Sequence, residues 1–149
     1  MRVIVSGGGT GGHIYPALAI AERILEDIPG SEVLYIGCDN GLENNIVPTT
    51  NIPLKTISAK GLPRKLTPAL VKSVLVNAKG VLEAKKYIKA FKPDLVIGTG
   101  GFVCGPTVLM ACMNHIPAMI HEQNAYPGMT NRMLSTRVNK VLINYPEAA

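Results

Sequence analysis

Three short stretches of this chain hold residues whose types and spacing suit chemistry. In the first, Ser6-Gly7-Gly8-Gly9-Thr10-Gly11-Gly12-His13, one imidazole follows a run of glycines. Glycine carries no Cβ, so backbone N–H groups there can close on an anion, and a helix starting beside them adds the positive end of its dipole. A phosphate or pyrophosphate is the natural guest. Imidazole ordinarily titrates near neutrality, which makes His13 the first candidate for a general base; the same position also suits a structural histidine that caps a helix or holds phosphate. The second stretch, Gly98-Thr99-Gly100-Gly101-Phe102-Val103-Cys104-Gly105-Pro106, is another glycine loop. The third, His121-Glu122-Gln123-Asn124, gathers four polar side chains. Its His121 and Glu122 form a second possible base or orienting pair, or else they hydrogen-bond neighbouring loops.

Two familiar patterns can be tested on the first loop. The phosphate-loop pattern G-x-x-x-x-G-K-[ST] finds its glycines at Gly7 and Gly12, but His13 replaces the lysine and Ile14 the metal-binding hydroxyl, which argues against an NTPase. The dinucleotide pattern G-x-G-x-x-G is matched by Gly7, Gly9 and Gly12, yet its last glycine belongs inside the helix. Pro16 suits a first helical turn, so the helix is expected to begin near Tyr15, leaving a loop too long for that pattern.

The elements that must position these stretches follow from periodicity. Val3-Ile4-Val5 reads as a strand, and Ala17, Leu18, Ala21, Ile24, Leu25 and Ile28 recur at helical spacing until Pro29-Gly30. Further strands are expected at Glu32–Gly37, about Leu54–Ser58, Leu95–Ile97, Pro117–Ile120 and Val138–Ile143. Short helices are expected at about Leu42–Val47 and Gly128–Leu134. Thr67-Pro68 opens a long helix to about Phe91. Such alternation predicts an α/β fold, a doubly wound parallel sheet of order 3-2-1-4-5. The first and fourth strands then lie side by side, and both glycine loops face one crevice at the carboxyl edge. Tyr145-Pro146-Glu147 reads as the start of a linker, giving an expected domain over 1–144, an interdomain linker from 145–149 and a second domain beyond it.

Composition sets bounds on partners. With 47% hydrophobic and 17% charged residues the chain is globular, and no run approaches the roughly 20 apolar residues of a membrane span. Cys38, Cys104 and Cys112 are an odd count at unrelated spacings, which fits neither a disulfide framework nor a zinc site. No metal or other cofactor is expected. From Lys55 to Lys92 there are ten basic residues and one acid, Glu83, either a solvated face or an attraction to phosphate-rich partners. Nucleic acid is not expected, because two Phe, five Tyr and no Trp leave little for base stacking. In the long helix Leu70, Val71, Val74, Leu75, Ala78, Val81 and Leu82 span an arc wider than one sheet contact needs, and Val76 points elsewhere again. That arc is either buried against neighbouring helices or exposed. If exposed, Val71, Leu75 and Val76, flanked by Lys72, Lys79, Arg64 and Lys65, offer a contact with an anionic membrane surface.

Taken together, Gly8-Gly9-Thr10-Gly11-Gly12-His13-Ile14-Tyr15-Pro16-Ala17-Leu18-Ala19, Gly100-Gly101-Phe102-Val103-Cys104-Gly105-Pro106 and His121-Glu122-Gln123-Asn124 resemble the N-terminal domain of the MurG family. These are two-domain GT-B glycosyltransferases of peptidoglycan synthesis, and the resemblance covers essentially the whole chain. It implies that N-acetylglucosamine passes from UDP-N-acetylglucosamine to lipid I, an undecaprenyl-pyrophosphate-linked acceptor, with inversion and without an obligatory metal. It implies an acceptor pyrophosphate held by Gly8, Gly9, Gly100, Gly101 and Gly105, and donor contacts at Thr10, Gly11, Gly12 and Asn124. It further implies a peripheral position on the cytoplasmic face of the cell membrane, a C-terminal donor domain outside this sequence, and a chain that is inactive alone. The competing readings are a free-standing binding module for polyprenyl-pyrophosphate sugars that needs a separate catalytic chain, and a dinucleotide-binding domain.

Overall fold

Strand β1 (Arg2–Gly7) sends alternate side chains to opposite faces of a sheet, and both faces are covered: Val3 and Val5 on one side and Ile4 on the other are completely buried. Burial on two sides is what a parallel sheet between helices demands, and it explains why the strands read as continuous apolar runs. In the computed structural model, which describes residues 1–63 and 65–149, six strands lie parallel in the order β3-β2-β1-β4-β5-β6. The others are β2 (Glu32–Cys38), β3 (Leu54–Ile57), β4 (Leu95–Gly100), β5 (Ala118–Glu122) and β6 (Lys140–Ile143). The expected doubly wound α/β sheet is therefore present, with β6 as a sixth strand on the edge.

Helix α1 (Gly11–Asp27) covers one face, packing Ile14, Ala17, Leu18 and Ala21 onto Val3, Val5, Val33, Tyr35 and Ile97. The opposite face, built on Ile4, Leu34, Ile36, Val96 and Ile120, is covered by α3 (Pro68–Phe91) and α4 (Cys104–Met113). Two short helices, α2 (Glu43–Ile46) and α5 (Met129–Leu134), follow β2 and β5 at the carboxyl edge.

Two expectations need correction, and one open alternative is resolved. Helix α1 starts at Gly11, not near Tyr15, and Pro16 lies inside it. The carbonyl that Pro16 leaves without its helical partner is that of Gly12, an exposed residue without a side chain, so water can take the acceptor and the ring meets little. The first loop is thus only Gly8–Thr10, and length no longer argues against the dinucleotide pattern. The second loop is also shorter than expected: β4 runs on to Gly100, and Cys104-Gly105-Pro106 is already the first turn of α4. That helix is buried at Cys104, Pro106, Thr107, Val108, Met110 and Ala111, so it has no polar stripe to reveal its period. Finally, α3 buries only Ser73, Gly80, Ala84 and Ile88. Most of the wide arc of its first half is exposed, with Val71 at 63% and Leu75 at 66%, whereas Val76 is half-buried. Lys72 and Lys79 are exposed on the same helix, Lys79 pairing with Glu83 at 3.5 Å; Arg64 lies outside the described residues.

Candidate functional site

The first loop is built around an internal carboxylate. Glu43, completely buried at the start of α2, accepts the Cys38 N–H at 2.6 Å and the Gly9 N–H at 3.3 Å. It occupies the space that a Cβ on Gly8, Gly37 or Gly41 would need, which is one reason those positions are glycine. From the other side the buried Tyr35 hydroxyl donates to the Gly7 carbonyl at 2.7 Å. Burial and the neighbouring Glu43 charge push the Tyr35 pKa far above its ordinary value, so it stays a hydroxyl donor. The expected pyrophosphate contact at Gly8 and Gly9 does not run through their own N–H groups in this arrangement. The Gly8 N–H points at the Gly100 carbonyl, 3.4 Å away, and the Gly9 N–H is held by Glu43, so neither amide is free for a guest anion. The amides of Gly11 and Gly12 are different: they belong to the first turn of α1, where no helical carbonyl precedes them.

His13 stands in that same first turn. Its Nδ1 lies 3.2 Å from the Gly8 carbonyl and 3.1 Å from the Thr10 hydroxyl. A carbonyl oxygen only accepts, so Nδ1 carries the proton, and in the neutral ring Nε2 carries the lone pair. Nε2 has no hydrogen-bond partner among the described residues and is not enclosed. The ring packs on Gly100, whose φ of +108° and lack of Cβ make room for Cδ2 and Nε2. The arrangement leaves Nε2 open and able, chemically, to accept a proton.

A bulge fixes the backbone of His13. Ser6 pairs with Gly98 and Gly7 with Gly100, so Thr99 is an extra residue in β4. Its buried hydroxyl donates to the His13 carbonyl at 2.7 Å. Gly101, at φ +82°, lies so close to the Gly8 carbonyl that a Cβ would be driven into it, which locks the two loops together. Beyond that contact the amides of Gly101, Phe102 and Val103 have no hydrogen-bond acceptor among the described residues. Free backbone donors beside the start of α4, which includes Gly105, are chemically suited to an anion. Cys104 below them is inert: burial pushes its thiol up to about 12.

The His121–Asn124 stretch divides. Along β5 alternate residues face opposite sides, so His121 and Glu122 do not form a pair. His121 Nε2 lies 3.0 Å from Asn144 Oδ1 beyond β6, and its Nδ1 is buried without a partner among the described residues. Glu122 turns to the α4–α5 side. Its Oε1 accepts the Asn124 N–H and Nδ2, both at 3.0 Å, and its Oε2 accepts the Gly128 N–H at 3.0 Å and the Asn131 Nδ2 at 2.9 Å. Burial alone would raise its pKa, but these hydrogen bonds outweigh burial and hold it below the ordinary carboxylate range. The carboxylate fastens the loop; it is not poised to take a proton. Asn124 keeps its amide oxygen free and is exposed, so of the four it alone offers an open side chain to the crevice.

Sequence reasoning missed Glu43, Thr99 and Asn131, all buried polar groups. The available signal was weak: Glu43 and Asn131 sit beside other polar residues in short helices and Thr99 sits between glycines, so nothing in the sequence marks any of them as buried.

A family model for the N-terminal domain of glycosyltransferase family 28 matches residues 3–143. The chain is 55% identical over 148 residues to a protein of Bacillus pumilus and 53% identical over 148 residues to one of Alkaliphilus oremlandii. Both are named UDP-N-acetylglucosamine--N-acetylmuramyl-(pentapeptide) pyrophosphoryl-undecaprenol N-acetylglucosamine transferase. Each alignment covers 99% of this chain, but the chain spans only 41% and 40% of those relatives' lengths. Among solved structures, MurG of Acinetobacter baumannii superposes with a TM-score of 0.87 at 35% identity, over 99% of this chain and 43% of that one.

Proposed function

The chain belongs to glycosyltransferase family 28, whose N-terminal domain it matches, and on that premise we propose that it is the acceptor half of an inverting N-acetylglucosaminyltransferase. In this reading N-acetylglucosamine moves from UDP to the C4 hydroxyl of the N-acetylmuramoyl sugar on an undecaprenyl pyrophosphate, lipid I becoming lipid II. Residues 1–144 form the acceptor domain, and the donor domain belongs to the remaining length of the relatives.

The observation that carries the proposal is the contact of His13 Nδ1 with the Gly8 carbonyl, which assigns the proton to Nδ1. With Nδ1–H spent on the Gly8 carbonyl, Nε2 is set to take the proton of the C4 hydroxyl as its oxygen attacks the anomeric carbon and UDP leaves from the opposite face. Thr10, the free amides of Gly11 and Gly12, and Asn124 form the donor-facing rim. The amides from Gly101 to Val103 and the start of α4 take the acceptor's pyrophosphate, with backbone dipoles replacing its lost hydration. The exposed apolar and lysine-bearing face of α3 rests on the anionic membrane surface in which the acceptor's lipid is held. A stand-alone binding module would have no use for a base aimed in this way.

The test is sugar transfer by a chain completed with the donor domain. His13→Ala and His13→Gln are expected to lower kcat by about two to four orders of magnitude, with smaller effects on donor KM. Turnover within about threefold of the parent would remove His13 from the base role.

A further inference from the structure

Between α3, α4 and α5 lies a groove of about 590 Å³ that none of the roles above uses. Its inner end is formed by Phe102, which carries one of the free amides of the second loop, and by Gly105, two residues beyond the last of them. Its walls are apolar: Ala78 and Val81 from α3 face Leu109 of α4 and Met133 of α5. Val74, at the outer end, also belongs to the exposed face of α3 with Val71 and Leu75, so the groove opens onto that face. Lys60 and Arg137 are the charged groups of the described lining, which includes no carboxylate, and neither is in an ion pair among the described residues.

The groove is held open by fixed structure. Asn77 clamps the Lys60 segment to α3, accepting the Lys60 N–H at 3.1 Å and donating to the Lys60 carbonyl at 2.8 Å. Glu83 accepts the Ser58 N–H at 2.6 Å just before it. With Asn77 committed in this way, the lining has too few convergent polar groups for a sugar or peptide, which need several. It fits a flexible hydrocarbon whose anionic head lies at the inner end beside the free amides of the second loop.

We propose that this groove seats the first isoprene units of the acceptor's polyprenyl chain, with the pyrophosphate at the second glycine loop and the remaining chain leaving past Val74 into the bilayer. The choice of occupant rests on the transferase reading. The groove therefore does more than touch a membrane: it selects acceptors by the chain next to the phosphates, and it pulls that part of the lipid out of the bilayer toward His13.

The chain itself can be titrated calorimetrically with inorganic pyrophosphate, with farnesyl pyrophosphate and with farnesol, both prenyl probes kept below their aggregation limits. The prenyl chain is expected to tighten pyrophosphate binding by about tenfold or more, the scale of burying a few CH₂ groups. Ala78→Trp, which fills the groove from an exposed wall, is expected to abolish that gain and leave inorganic pyrophosphate unchanged. Met133→Glu, also at an exposed position, should do the same and decides the matter if the first variant does not fold. Equal binding of the two pyrophosphates by the parent, or a gain that survives both substitutions, overturns the proposal. So does competition by neutral phosphatidylcholine vesicles as effective as that of farnesol, which would make the groove a bilayer contact, or a dimer lost on Ala78→Trp, which would make it a contact between copies. The transferase reading fails separately, if the completed enzyme transfers no sugar to either a prenylated or a tail-less acceptor.

Discussion

Replacing Glu122 by glutamine should weaken the fold at neutral pH and not in acid. Each carboxylate oxygen accepts two donors, Asn124 N–H and Nδ2 at one and Gly128 N–H and Asn131 Nδ2 at the other, so no orientation of a carboxamide satisfies all four. The cheaper orientation turns the new NH₂ toward exposed Asn124, where water takes over, and keeps the oxygen on buried Asn131. The two bonds retained fall from charge-assisted to neutral strength, a loss of about 1 kcal/mol each, and the wet side adds a fraction more. The total is about 2–3 kcal/mol, and for a chain of this size Tm falls about 2–4 °C per kcal/mol. The folded-state pKa of Glu122 lies below its unfolded value, so its contribution is complete above the ordinary carboxylate range and is lost as pH falls through the folded-state value. Urea unfolding of Glu122→Gln beside the parent, from about pH 7 to about pH 3, should show a stability gap that closes toward the acid end. A gap that is absent at neutral pH, or constant across the range, would refute the assignment of Glu122 as the ionised clasp of the loop.

Glu43→Ala leaves the buried Cys38 amide and the half-buried Gly9 amide without their acceptor and should cost about 2–5 kcal/mol, read by urea unfolding, with faster amide exchange at Gly9 than at Val5. Gly101→Val, forced against the Gly8 carbonyl, should separate the two loops and abolish pyrophosphate binding by calorimetry, with a far-UV circular dichroism spectrum like that of the parent. Val71→Ser with Leu75→Ser should leave stability within about 0.5 kcal/mol, because both side chains are exposed, but lower co-sedimentation with anionic vesicles. Binding of the parent to those vesicles should fall as salt rises, and equal binding to neutral vesicles would mean that the lysines of α3 contribute nothing.

The sheet was legible because each strand is an apolar run bounded by glycine, proline or polar turns, and its order followed from the alternation with helices. The two loops were legible as a pair for the same reason. Their interior was not. Pro16 marked the wrong helix start because a glycine four residues earlier removes the usual penalty, and α4 was hidden because burial on nearly all sides erases the period that betrays a helix. A bulge in parallel strands leaves no mark in composition, so Thr99 read as one more small residue among glycines. His121 and Glu122 read as a pair because they are adjacent, yet adjacency on a strand sends them to opposite faces.

The extra residue in β4 also bears on timing. Through Thr99 the carbonyl of His13 is tied to the centre of the sheet, while its ring is tied to Gly8 and rests on Gly100. A side chain fastened at both ends has no hinge of its own and cannot swing freely. On the proposed reading the donor sugar must be carried to it, so the moment of reaction would be set by whatever delivers that sugar, with Nε2 as the fixed reference against which its arrival is measured.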